Sequence, residues 1–302
     1  MDNNILRKAP ASGRLNIPRY ITGLVLLVVF VIVGCGGSGV VTESQTQPVA
    51  SNSISTTKVD DAASPVLYTF AVCGDNRTMG IENGILPRII ESAKARGAAF
   101  MINTGDVSGD GSRDELTLYR ELTDASGLRI YTVPGNHDVG RGGTSEAYES
   151  IIGATYYSFD QDGDHFIVLD NADDRVGIDQ TQMQWLTADL AINSDKPRQF
   201  IFAHIPVADS SLPSGHVSGE LGDEGLLTGQ QLVAEAGKYA NVSDFFFGHI
   251  HAYFSYKLGG IDAYVTGGAG APLYFPESSG GYYHYLLVSV HQEAVELEVV
   301  RV

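Results

Sequence analysis

Five short polar motifs, each placed at the end of an apolar, β-rich run, constrain this chain more than any other feature. They are Gly74-Asp75, Gly105-Asp106, Gly135-Asn136-His137-Asp138, a lone His204, and Gly248-His249-Ile250-His251. Runs rich in Val, Ile, Phe and Tyr that stop at Gly, Asp or Asn read as strands ending in turns. Several such ends in one chain call for a sheet whose strands finish on a common rim. Open α/β sheets hold their ligands at that rim, outside the carboxyl ends of the strands.

The segments between the motifs support an alternating pattern. Strands are expected over 66–73, 98–103 and 128–133, separated by helices over 81–96, closed by Gly97, and 112–125. A hairpin is expected around Asp162-Gly163, joining 155–160 to 164–170, followed by a helix over 179–192 that carries Trp185 and Leu186 on its apolar side. A strand over 198–203 runs into His204, a helix spans 230–239, and a strand over 244–247 runs into Gly248. Beyond Gly260 the pattern is mostly β, over 261–266, 283–290 and 294–302. Strand–helix alternation followed by a β-rich end points to an α/β domain with a mixed second sheet.

Each motif alone has a plainer reading. Gly-Asp after a strand is commonly a turn or a helix cap. His-x-His on a strand places two imidazoles on one face and usually does no more than that. A single histidine such as His204 is most often a hydrogen-bonded core residue. Together, however, Asp, Asn and His side chains on one rim are ligands for borderline transition-metal ions, and such ions activate water against phosphate esters.

In this order the motifs resemble those of the calcineurin-like metallophosphoesterases, nearest to their purple acid phosphatase-like branch. Supporting stretches are Tyr156-Tyr157-Ser158-Phe159-Asp160 with His165-Phe166-Ile167-Val168-Leu169-Asp170, then Gln182-Met183-Gln184-Trp185-Leu186, and Gly267-Gly268-Ala269-Gly270-Ala271-Pro272. The resemblance covers residues 66–302. It implies an α/β fold of two mixed β-sheets packed as a sandwich flanked by α-helices. It also implies two transition-metal ions, Mn, Fe or Zn. Asp106 would bridge them, with Asp75 and His251 completing the first site and Asn136, His204 and His249 the second. Asn136 and His137 would meet the substrate, and Asp138 would orient the His137 imidazole. The implied reaction is hydrolysis of phosphate mono- or diesters by a metal-activated hydroxide attacking phosphorus in line, with His137 supplying a proton or hydrogen bond.

One position departs from the family pattern. Two residues after Asp75, where a histidine ligand is usual, stands Arg77, and a guanidinium has no lone pair to offer a metal. Where purple acid phosphatases place a tyrosine ligand, three residues after the bridging aspartate, stands Gly109. The first site would then bind its ion weakly, or Arg77 would clamp a substrate phosphate through its bidentate fork, or Arg77 would replace the ion's charge. Asn76 offers a substitute oxygen. The same departure motivates an alternative, a non-catalytic relative that binds a phosphorylated ligand or a partner protein.

The amino-terminal stretch reads differently from the rest. Arg7, Lys8, Arg14 and Arg19 precede an apolar run from Tyr20 to Val33 that is 14 residues long, short of the ~20 a spanning helix needs. It ends Ile32-Val33-Gly34-Cys35, which resembles a bacterial lipobox. Residues 1–34 are therefore expected to be a signal peptide, Cys35 to be lipidated, and 35–65, rich in Ser, Thr and Gln, to tether an exported, membrane-anchored domain. An uncleaved anchor is the plainer option.

The chain's net charge is −17, and losing residues 1–34, with four basic residues and one acidic, would deepen it to −20. So acidic a surface does not suit general nucleic-acid binding. The expected partners are a small phosphate ester and, through the lipid, a membrane. Cys73, at the end of an apolar run, is expected to be a buried filler. His165, His284 and His291 read as strand or surface residues. The Gly/Ser-rich loop over 205–229, with His216, and the 140–143 run read as flexible or substrate-facing loops. Tyr148, Tyr253 and Tyr274 are either core residues or stacking surfaces for an aryl group.

Overall fold

The computed structural model describes residues 64–139, 144–213, 215–219 and 222–302, together with the two-residue strand β1 (Arg7–Lys8). The leader, apart from β1, and Cys35, nearly all of the tether and the 140–143 run lie outside the described residues. No helix among the described residues is long and apolar enough to cross a membrane.

Two mixed sheets face each other. The smaller contains β2 (Tyr68–Cys73), β3 (Phe100–Asn103), β4 (Arg129–Thr132), β11 (His284–Val290) and β12 (Val295–Arg301), in the order β12-β11-β2-β3-β4. β2, β3 and β4 run parallel, while β11 is antiparallel to β2 and β12. The larger contains β5 (Tyr157–Gln161), β6 (Asp164–Val168), β7 (Gln199–Phe202), β8 (Val242–Phe247), β9 (Tyr253–Leu258) and β10 (Ile261–Thr266), with β1 on the edge beside β5. Its central strands β6, β7, β8 and β10 are parallel.

The side-chain alternation of each strand explains the layering. On β2, Phe70 and Val72 point between the sheets, while Ala71 and Cys73 point outward to the helices. On β7 and β8, Phe200, Phe202 and Phe246 point inward, while Ile201, Phe245 and Phe247 point outward. Strands buried on both faces read as unbroken apolar runs, as these do. The interlayer is largely aromatic: Phe70 stacks on Phe100 with centroids 5.3 Å apart and meets Phe166 edge-on at 5.4 Å. Offset and edge-on pairs of this kind add to the burial of their area.

Helices cover both outer faces. α2 (Ile85–Ala95), α3 (Arg113–Ala125) and α5 (Ser145–Ile151) lie on the small sheet through Ile89, Leu116 and Tyr148. α6 (Gln180–Ile192) and α7 (Asp223–Ala236) lie on the large one through Leu186, Leu190 and Leu232. Cys73 is buried with its thiol against the Met101 sulfur at 3.7 Å, as a filler.

Three expectations are corrected here. The helix expected over 81–96 is two, α1 (Arg77–Glu82) and α2, because Gly84 adopts φ +74° and the Asn83 side chain caps Ile85 N–H at 3.0 Å. The helix expected from Gln230 begins at Asp223, so the loop after His204 is shorter than 205–229. Strand β9 was not expected at all. His165 and His284 lie on strands β6 and β11, as one of the two expected readings had it, and with His291 all three are buried.

Candidate metal centre

Every motif leaves the carboxyl end of a parallel strand, and the two sheets present those ends side by side. Asp75 follows β2, Asp106 follows β3, and the four-residue helix α4 (Asn136–Val139) follows β4. From the other sheet, His204 follows β7, while His249 and His251 follow β8. Main-chain bonds tie the turns together: Asp75 N–H donates to Gly105 O and Gly248 N–H to His204 O, at 2.8 and 2.9 Å.

The turns are strained where the ligands sit. Asp75, Arg77, Asp106 and His249 have φ of +61°, +47°, +53° and +68°, a region that non-glycine residues enter at a cost. Only one other described non-glycine residue, Asp162, shares it, in the β5–β6 hairpin. Such strain persists where the surrounding structure enforces it, and here it aims carboxylates and imidazoles inward. Close approach does the rest: a Cβ on Gly135 would sit 2.1 Å from Asp106 N and 2.3 Å from Asp106 Oδ1.

The tautomers of the histidines follow from their carbonyl partners, since a carbonyl only accepts. His204 Nδ1–H donates to Thr104 O at 2.8 Å, which turns the Nε2 lone pair inward. That atom lies 3.1 Å from Asn136 Oδ1 and 3.3 Å from Asp106 Oδ1, and 3.3 Å from His249 Nδ1. His249 Nδ1 in turn lies 2.8 Å from Asn136 Oδ1. A carboxylate oxygen, an amide oxygen and two imidazole nitrogens therefore converge, a donor set that suits a transition-metal ion. Burial opposes charge on His204, but the Asp106 and Asp75 carboxylates outweigh it and raise its pKa. His249 is pushed the other way, to about 3, by burial and the neighbouring His204.

The other half is built from Asp75, Asp106 and His251, all buried, with one ligating atom of each within 4.8 Å of the others. His251 Nδ1–H donates to Pro272 O at 2.6 Å, leaving the Nε2 lone pair 3.5 Å from Asp75 Oδ1. Asp75 Oδ2 accepts from His249 N–H at 2.9 Å, while Asp75 Oδ1 is buried without a hydrogen-bond partner, as a metal-ligating oxygen would be. Burial resists its ionisation, but the neighbouring imidazoles of His251, His204 and His249 hold its pKa below the usual carboxylate range. Arg77 stands in this half: its Nη2 lies 3.5 Å from Asp106 Oδ2 and 3.4 Å from His251 Nε2.

The structure thus brings all six expected ligands, Asp75, Asp106, Asn136, His204, His249 and His251, into one centre, with Arg77 and His137 beside them. His137 Nε2 lies 3.9 Å from Asp106 Oδ2, and its backbone N–H donates to Asp106 Oδ1 at 2.9 Å. Two expectations about supporting groups fail. Asp138 does not take the orienting role: Nδ1–H of His137 donates to Gly109 O at 2.6 Å. The Asp138 carboxylate instead accepts from Ser108 N–H and Oγ–H, at 2.9 and 2.7 Å, and from Gly135 N–H at 2.9 Å, locking two ligand turns together. Burial and the Asp106 charge push its pKa up to about 6. Asn76 is no ligand either, because its amide bonds Arg77 O, Val107 O and Asn103.

Sequence reasoning missed the carbonyls of Thr104, Gly109 and Pro272, which set the imidazoles. A carbonyl has no sequence signature, so no signal marked them. Tyr274 was only one option among three. It is 56% exposed and stacks on His251 with centroids 4.5 Å apart, with His216 nearly parallel to it at 6.3 Å. Tyr148, by contrast, is core.

The family model for calcineurin-like phosphoesterases matches residues 68–253, and the chain belongs to that family of metal-dependent phosphoesterases. Among curated relatives, a protein of Fibrobacter succinogenes named a probable cyclic nucleotide phosphodiesterase is 26% identical over 175 residues, 55% of this chain and 63% of the relative. A 3',5'-cyclic-nucleotide phosphodiesterase of Nostoc sp. is 26% identical over 162 residues, 51% of this chain and 56% of the relative. The chain thus spans about three fifths of the length of these relatives. Among solved structures, a dimetal phosphatase from Danio rerio matches with a TM-score of 0.60 at 15% identity, covering 78% of this chain and 97% of that one. A purple acid phosphatase from yellow lupin seeds matches at 0.58 and 17% identity, covering 79% and 52%. The sandwich of two mixed sheets with flanking helices is the fold these share.

Proposed function

We propose that this chain hydrolyses phosphate diesters, with monoesters as poorer substrates, on the outer side of a membrane to which Cys35 tethers it. The observation that carries the hydrolytic reading is the convergence of Asp106, Asn136, His204 and His249, a carboxylate, an amide oxygen and two imidazoles, beside His137. A transition-metal ion held there would supply Lewis-acid chemistry, polarising a phosphoryl oxygen and lowering the pKa of water.

The chain's own residues do the rest. Thr104 O and Pro272 O fix His204 and His251 with their ligating nitrogens inward. Gly109 O holds His137 Nδ1–H; as the imidazolium, with a second hydrogen on Nε2, His137 would meet the leaving-group oxygen and give it that proton or a hydrogen bond as charge develops there. The diester preference is supported by the relatives, two of which are named cyclic nucleotide phosphodiesterases and a third, from Arcobacter nitrofigilis, a probable glycerophosphodiester phosphodiesterase. The location is supported by the basic stretch, the apolar run and Gly34-Cys35.

The test is turnover of an aryl phosphodiester and the matching monoester by residues 64–302 with added Mn, beside His137→Ala. The expected result is Mn-dependent diester hydrolysis that falls by about 10²–10⁴ in the variant, the usual weight of a general acid. Loss of bound metal in His137→Ala would show that the imidazole is a ligand and the assigned role wrong. Membrane anchoring is checked separately: Cys35→Ala in the full chain should release the protein from the membrane fraction of a bacterial host.

A further inference from the structure

The two halves of the centre are not equivalent. In one, a carboxylate, an amide oxygen and two imidazoles face one another with no arginine or lysine among them. In the other, a permanent cation already stands among the ligands. Arg77 Nη2 faces Asp106 Oδ2 at 3.5 Å and His251 Nε2 at 3.4 Å, two of the three ligating atoms of that half. Since Pro272 O takes the His251 Nδ1 hydrogen, Nε2 is an acceptor, and the guanidinium donates to it. The lone pair that would serve an ion serves Arg77.

Arg77 is also not a loose surface side chain that can swing aside at no cost. Its backbone is held at φ +47°, with N–H donating to Asp106 O at 2.8 Å and its own carbonyl gripped by the Asn76 amide at 2.9 Å. The Nε atom is buried without a hydrogen-bond partner, and the side chain is 21% exposed. The guanidinium therefore presents an inner edge to the ligands and an outer part to the rim where substrate enters. No other described residue supplies the missing ligand: the Asn76 amide is fully engaged, and Gly109 has no side chain.

We propose that the centre is mononuclear: one ion sits among Asp106, Asn136, His204 and His249, and the Arg77 guanidinium takes the place of the second ion, neutralising Asp75 and Asp106 and offering its outer N–H groups to a phosphoryl oxygen. This rests on the metal-dependent reading above and sharpens it. A guanidinium is planar, does not lose its charge, and matches phosphate oxygens in pairs, so it performs the charge-neutralising part of an ion's work without activating water. Water activation then falls to the single ion.

The experiment is Mn(II) titration of the metal-stripped full chain, read by metal content after gel filtration and by electron paramagnetic resonance, for the wild type and for Arg77→Lys, Arg77→Met and Arg77→His. The wild type and Arg77→Lys, which keep the charge, should hold one ion with the spectrum of an isolated Mn(II). Arg77→Met and Arg77→His should take up a second, with the spectrum of an exchange-coupled pair. The second binding event should tighten by about 10- to 100-fold relative to the wild type, the range typical of changes around a metal site. Two tightly held, coupled ions in the wild type would overturn the mononuclear centre while leaving the phosphoesterase reading intact. One ion in all four proteins would show that the Arg77 charge is not what keeps the second away. No ion in any folded variant would overturn both. Circular dichroism of each apo protein confirms that the variants compared are folded.

Discussion

Two histidine–carboxylate clusters lie at opposite ends of the same parallel strands, and only one is built for chemistry. His165, at the start of β6 and paired in register with Gln199 of β7, is fully buried with Nδ1 2.6 Å from Asp160 and Nε2 2.7 Å from Asp189. Lys196 balances Asp160, and the Asn193 amide approaches the other nitrogen, Nε2, on the Asp189 side. Every polar atom of that imidazole has a matching partner, and its backbone is an ordinary strand. His204, at the far end of β7, faces Asn136 and Asp106 oxygens and another imidazole, all within 3.3 Å. Its neighbours Asp106 and His249 hold strained backbones. A histidine between carboxylates is thus no guide to function. Ligating side chains that converge from several strained turns are the better guide.

Three substitutions would break or sharpen that contrast. Asp106→Asn touches both halves of the centre. It should lower metal content sharply and turnover by more than about 10³-fold, comparable to removing a principal transition-state stabiliser, while thermal stability of the apo protein is little changed. Retained metal, measured by elemental analysis, would show that Asp106 is not a ligand. His165→Leu should do the reverse. It strands Asp160 and Asp189 without their partner, so urea unfolding should show a loss of about 3 kcal/mol, with turnover per folded molecule unchanged. A fall in turnover of the folded variant would mean that the two ends of the strands are coupled.

The smallest effect concerns Asp244 on β8. Burial, reinforced by Asp262 and opposed by the Ser243 hydroxyl, pushes its pKa to about 6, against 3.8 in the unfolded chain. The folded state holds the proton longer, so this group costs stability as pH rises from about 4 to 6, and the full cost remains above 6. Asp244→Asn removes the ionisation. It should raise stability at pH 7.5 by about 1–2 kcal/mol, less than the roughly 3 kcal/mol that two pKa units would set as a ceiling, with the advantage gone near pH 4. An advantage of equal size at both pH values would mean that packing, not charge, is responsible.

Much of the centre was legible because polar residues at strand ends break the apolar pattern abruptly. Asp75, Asp106, Asn136, His204, His249 and His251 each interrupt a run whose other members are core. What stayed hidden was backbone. The Gly109 carbonyl holds His137 where Asp138 was expected to. The reason is geometric: α4 turns the Asp138 side chain away, under the β3 turn. In the fold, α7 was misjudged because Gly225 and Gly229 lie in its first two turns, and helices seldom begin that way. Gly225 is there for packing, since a Cβ would come 2.2 Å from Asp174 O. β9 escaped notice because, as an edge strand, it is only half buried and lacks a continuous apolar run.

The order of the small sheet has a consequence for how such a chain is made. β2, which carries Asp75, lies between β3, its near neighbour in sequence, and β11, more than 200 residues further on. Until β11 arrives, one side of β2 is an open edge, and the first ligand turn lacks a wall. A ribosome must therefore complete almost the whole chain before that edge can close. Pairing at such range delays folding and leaves a sticky intermediate in the meantime. Loss of β11 through a premature stop would leave a protein with all six of its ligand residues, an unpaired hydrophobic strand, and a strong tendency to aggregate.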